Sequence, residues 1–217
     1  PLADGLLHAA KWSPFVVAVA VLTLSQWWDS GVYVSREERS RRELSRYQHL
    51  VRMVPRYDHA HLTLGTRHYA AGNLTEARKS LDRALTFSGD RNAKAHYNRG
   101  LVAAAEKDPR SAVDHYVRSL ELDPLSDQVH HVHFALGAAY QSLNDVAHAE
   151  LHYLRALAIR PRFAVAALGL GGLYRISGQN DKARHHLRNA VELLGEDGAG
   201  GTHLEAAQQQ LESLGRQ

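Results

Sequence analysis

Fifteen histidines and no cysteine make imidazole the side chain most able to do chemistry in this 217-residue chain. Three groups have spacings that could serve a metal: His59 with His61, His130-His131 with His133, and His148 with His152. The last two lie four apart, so on a helix both rings could reach one ion. Two nitrogens do not complete a coordination shell, and the sequence fixes no carboxylate or third histidine beside them. His-Ala-Glu-Leu-His also lacks the zinc-protease spacing. There is a simpler account. His115, His152 and His186 occupy one place in a recurring pattern, and His61, His96 and His133 occupy another. Equivalent side chains on neighbouring helices stand about 8–10 Å apart, too far to share a metal at bond lengths of about 2 Å. Repetition therefore explains most of the histidines, and neither a metal nor another cofactor is expected. A metal-dependent protein using the surface histidines His148 and His152 is the alternative from the enzyme class.

Other chemistry is sparse. Gly169-Leu170-Gly171-Gly172 looks superficially like a phosphate loop, but Tyr174 stands where a third glycine belongs and the flanks read as helix. No serine, histidine and aspartate carry a nucleophile elbow, and no paired carboxylates stand out. The chain is read as a non-enzyme without a small-molecule substrate. Lys and Arg number 26 against 23 Asp and Glu, a balance too even to point to nucleic acid.

The elements that carry these residues repeat. Gly65, Gly100, Gly137 and Gly171 recur at intervals of 35, 37 and 34 residues, and Ala77, Ala112, Ala149 and Ala183 each follow by twelve. A period of this length means stacked helical hairpins, each burying its apolar face against its neighbours. The small residues let the two helices of a hairpin approach closely. Turns are marked by Gly72, Lys107-Asp108-Pro109, Asn144-Asp145 and Gly178. Tyr116 and Tyr153, with Leu81 and Leu187 in the matching places, fill the gaps. Pro124, Pro161, Gly89 and Gly195 end the second helices.

Leu136-Gly-Ala-Ala-Tyr-Gln-Ser-Leu-Asn-Asp-Val-Ala-His-Ala-Glu150 and the matching run 170–184 resemble the tetratricopeptide repeat family, over roughly residues 58–195. Departures are His61, His96 and His133 at the usual tryptophan, and Arg99 at a core leucine. The resemblance implies an all-α, right-handed α-solenoid of about four tetratricopeptide hairpins with capping helices. The expected layout is a tail at 1–11, a transmembrane helix and its boundary at 12–34, and a connecting, capping half repeat at 35–57. Repeats follow at 58–91, 92–126, 127–163 and 164–197, then a glycine-rich loop and capping helix at 198–217. The first cap is expected to be helical over 35–54, opening on a Ser35/Glu38 box. The last is expected over about 203–214, opening on Thr202 and Glu205.

Trp12 to Trp28 contains no charged residue, and seventeen helical residues rise roughly 25 Å, near the minimum for a bilayer core. Ser13-Pro14 marks a helix start, and Trp12, Trp27 and Trp28 suit the two interfaces. This reads as a single-pass membrane anchor; a secretory signal with Ala18-Val19-Ala20 as cleavage site, or a packing helix, are the competing readings. Arg36, Arg39, Arg41, Arg42 and Arg46 against Lys11 place the repeats on the cytoplasmic side.

In the resembling family the first helices of successive hairpins line a concave groove for a peptide or helix. Carried over by repeat, that groove presents Leu62, Thr66 and Tyr69; then Lys94, Tyr97, Asn98 and Leu101; then Phe134, Ala138 and Gln141; and last Leu168, Gly172 and Arg175. Tyr69, Tyr97 and Phe134 are the candidate anchors, because aromatics dominate binding hot spots; each could instead pack between helices. The expected function is a membrane-anchored scaffold that binds other proteins, as an accessory or assembly subunit among neighbouring membrane subunits. A transient chaperone adaptor that takes client peptides in the groove is the alternative.

Overall fold

A computed structural model of the chain describes residues 36–196 and 201–215. Among these residues there are ten helices and no strand. They are α1 (Arg36–Met53), α2 (Asp58–Ala70), α3 (Leu74–Ser88), α4 (Ala93–Ala105), α5 (Pro109–Leu122), α6 (Val129–Ser142), α7 (Val146–Ile159), α8 (Ala164–Ile176), α9 (Asn180–Glu196) and α10 (Gly201–Gly215). The contacts divide the chain between Ser88 and Gly89 into two compact units. In the first, α1 packs on α2 and α2 pairs with α3. In the second, α4 pairs with α5, α6 with α7 and α8 with α9, while α10 lies on α9 and α8.

Each hairpin closes through its glycine. A Cβ at Gly65 would meet Leu81 at 2.5 Å, at Gly100 the Tyr116 ring at 2.4 Å, at Gly137 the Tyr153 ring at 2.6 Å and at Gly171 Leu187 at 2.7 Å. The large partner on the second helix thus takes the space that a side chain on the first leaves empty, and all four partners are buried. Ala77, Ala112, Ala149 and Ala183 are fully buried at the same crossings. Ser119, where the other repeats carry alanine, is also buried and donates its hydroxyl to the Ala93 carbonyl at 2.9 Å.

Four turns are built alike. Gly72, Lys107, Asn144 and Gly178 all adopt positive φ, between 59° and 77°. The residue after each donates its N–H to the carbonyl five back: Asn73 to His68, Asp108 to Ala103, Asp145 to Tyr140 and Gln179 to Tyr174. This closes a Schellman motif and satisfies a carbonyl that the helix end leaves open. Asp108 and Asp145 then cap the next helix, their Oδ1 atoms accepting from the N–H of Ser111 and His148.

Several boundaries differ from the sequence reading. Gly195 does not end α9, which continues to Glu196. The last helix begins at Gly201, so Thr202 lies inside it rather than capping it. Ser35 lies outside the described residues, as do residues 12–34 with the expected anchor. Among the described residues no helix is long and apolar enough to cross a membrane. Glu43 of α1, which stands where the repeats have alanine, forms an ion pair with Arg67 of α2.

Candidate protein-binding face

The groove residues expected from the repeat alignment separate into three environments. In the first unit, α2 carries Leu62 buried, Tyr69 half-buried and Thr66 exposed, with the Thr66 hydroxyl donating to the Leu62 carbonyl at 3.0 Å. In the second unit, contacts join α4 to α6 and α6 to α8. This brings Tyr97, Asn98 and Leu101 beside Phe134, Ala138 and Gln141, all half-buried, with Lys94 exposed at the edge.

The aromatic anchors are anchored themselves. The Tyr97 ring lies 5.9 Å from Tyr116, and Phe134 lies 5.9 Å from Tyr153 and 5.6 Å from Phe163. Gln141 accepts the Tyr153 hydroxyl at 2.9 Å, and Asn98 donates to the Lys94 carbonyl at 2.8 Å. These rings therefore pack between helices along one side while keeping another side open. Rigid aromatics of this kind cost little conformational entropy when they bind.

On α8 the outcome is different. Gly172 is buried, and the Oε1 of Gln210 on α10 stands 3.1 Å from where its Cβ would be. Leu168 packs in apolar clusters with Leu204, Ala207 and Leu211 of the same helix. Arg184 of α9 donates to the Leu214 carbonyl at 2.9 Å and helps to hold α10 in place. Of the four residue sets, the α4 and α6 sets of the second unit remain open as one face, with α10 lying over α8 and Arg175 exposed beyond it.

The histidines pair between the two helices of a hairpin, which the spacing of like positions did not suggest. His96 Nδ1 faces His115 Nδ1 at 3.1 Å, and His133 Nδ1 faces His152 Nδ1 at 3.0 Å. One nitrogen of each pair must carry a proton and the other must not. The shared separation of nineteen residues was the available signal, because it places the first helix's histidine beside the second's. His96 also turns its Nε2 to Asp90 Oδ1 at 3.1 Å. In the other pair, burial holds both rings below the usual imidazole range, with Arg155 adding to the effect; His152 falls to about 4. His148 hydrogen-bonds the Asp145 carboxylate at 2.8 Å, and the Tyr140 ring stacks on both His148 and His152. Those two histidines thus have separate partners. Among the described residues no group of three or more His, Asp or Glu side chains is arranged to hold a metal.

A tetratricopeptide repeat model matches residues 62–127, and another matches residues 130–163. The chain is 29% identical over 125 residues to tetratricopeptide repeat-containing protein trd-1 of Caenorhabditis elegans. That match covers 58% of this chain but only 16% of the relative. Among solved structures, PilW, described as a widely conserved type IV pilus biogenesis factor, superposes with TM-score 0.69 at 16% identity, covering 94% of this chain and 91% of its own. YrrB, described as a tetratricopeptide protein with an unusual peptide-binding site, superposes with TM-score 0.60 at 20% identity, covering 71% and 78%. Helical hairpins closed by glycine, family matches and shared fold agree: residues 62–127 and 130–163 of this chain are tetratricopeptide repeats.

Proposed function

We propose that this chain is a membrane-anchored tetratricopeptide scaffold that binds other proteins, as an accessory or assembly subunit of a larger membrane protein complex. The observation that carries the reading is the α4–α6 face. There Tyr97, Leu101 and Phe134 stand half-open beside the small Ala138, with polar edges at Lys94 and Gln141. An aromatic and aliphatic centre with a polar rim is what a partner helix or peptide needs. PilW, a biogenesis factor, and YrrB, a peptide binder, support interaction and assembly as the kind of work this fold does. Residues 12–28 supply the proposed anchor, and the arginines from Arg36 to Arg46 favour the cytoplasmic side for the repeats.

The absence of cysteine makes the face testable in the full chain. A photo-crosslinker on Ala138→Cys is expected to capture a defined partner from native membranes, and the same reagent on Glu121→Cys, exposed on α5, is not. Equal capture at both positions, or none at either, ends the reading. Copurification in fixed ratio indicates a subunit, and capture below that ratio indicates the transient adaptor.

The anchor has its own test. Deleting residues 1–34 is expected to move the protein from the membrane fraction to the supernatant with its helical circular dichroism unchanged. If the truncated chain still sediments with membranes after an alkaline wash, residues 12–28 are not what holds it there.

A further inference from the structure

The first unit contains a cavity of about 590 Å³ between α1, α2 and α3, within the size range of ligand pockets. It opens on the side of α2 away from Leu62, Thr66 and Tyr69. His61, Leu64 and His68, which line it, fall on the other side of the 3.6-residue helical turn. We infer that this cavity is a second protein-binding site, one that takes an acidic peptide segment of a partner protein.

Charge and apolar surface support this. Arg52 of α1 and Arg83 of α3 are exposed along the cavity, and neither forms an ion pair or hydrogen bond with another described residue. The lining carboxylate, Glu76, is already held by Lys79 at 2.8 Å, and that contact keeps it below the usual carboxylate range. Arg83 and His68 also act on Glu76 at longer range, but both guanidinium groups remain without an ion pair among the described residues and each can take a carboxylate in bidentate fashion.

The deeper wall is apolar, with Leu64 buried and Val51 and Phe87 half-buried. That wall suits the aliphatic side chains flanking an acidic residue. An acidic peptide with apolar neighbours fits the two arginines and the apolar wall. The site lies wholly in the first unit, so it stands or falls independently of the α4–α6 face.

The test is fluorescence anisotropy on the full chain, using a labelled nonapeptide of alternating glutamate and leucine. Saturable binding is expected. It should weaken at least about tenfold in the Arg52→Glu/Arg83→Glu variant and by less in Arg52→Gln/Arg83→Gln. Binding should also fall as salt rises and vanish when lysine replaces the glutamates. Both arginines are exposed and unpaired, so the variants should keep the parent thermal midpoint, which is measured alongside. Several results overturn the inference. They are no saturation below about 1 mM peptide, equal affinity for the parent and the charge-reversed chain, or arginine-dependent binding to phosphatidylglycerol vesicles without peptide binding. Full competition by inorganic phosphate at equal concentration also overturns it, since that identifies a general anion site.

Discussion

Gly137→Ala should lower the thermal midpoint by about 6 °C, although alanine is the better helix former. The added Cβ would lie 2.6, 2.7 and 2.9 Å from three carbons of the Tyr153 ring. The ring has nowhere to retreat. A Cβ at Gly169 of α8 would also lie 2.9 Å from the ring, so Tyr153 packs closely against two glycines from successive hairpins. Its hydroxyl is tied to Gln141, and only 2% of the residue is exposed. Overpacking at a closed site costs about 3 kcal/mol at the upper end, and the propensity gain of alanine over glycine returns about 1 kcal/mol. The net loss of about 2 kcal/mol corresponds to about 4–8 °C in a chain of this size. Gly195→Ala is the control. That glycine is helical and exposed, and a Cβ placed on it would meet nothing within 4 Å, so the midpoint should hold or rise slightly. Thermal scans by circular dichroism measure both, and an unchanged midpoint in Gly137→Ala would falsify the Tyr153 contact.

Acidification should destabilise the repeats before the carboxylates begin to titrate. The folded state keeps His152 neutral down to about 4 and holds His133 below its ordinary value, chiefly because both are buried. Once unfolded, each titrates near 6.5. Below that pH the unfolded chain binds protons that the folded chain refuses, so stability falls as pH falls through this window. The sign follows from the depressed folded-state pKa: nothing is lost above about pH 6.5, and the loss grows down to about 4. Protonating both rings would also place two donors face to face across 3.0 Å. His131 and His186, lowered mainly by burial, push in the same direction. From pH 7 to pH 5 the loss from His152 alone is about 2 kcal/mol. Urea melts at the two pH values measure it. The His133→Leu/His152→Leu variant removes donor and acceptor together and should flatten the dependence. An equally steep fall in that variant would place the effect elsewhere.

The hairpins were legible because their determinants are local. A glycine, an alanine twelve residues on and a bulky residue at the crossing specify which two helices can approach and in what register. Lys107 and Asn144 occupy the same left-handed position as Gly72 and Gly178, which shows the turn recurring even where the residue type does not. Tyr97, Leu101, Phe134 and Ala138 are half-buried on α4 and α6, the first helices of their hairpins, where the repeat alignment puts them. The packing of α10 over Leu168 and Gly172 was not legible, because no local pattern says that α10 folds back over α8.

The amino-acid sequence by itself determined the helical hairpins of the described residues, with tetratricopeptide repeats over 62–127 and 130–163, since side-chain size and turn chemistry act within a few tens of residues. Only the tertiary structure decided that His133 meets His152, that α10 covers part of the expected groove and that Arg52 and Arg83 line one cavity. Each of these depends on which faces of separate helices meet. Spacing along the chain constrains that choice, but packing in three dimensions makes it.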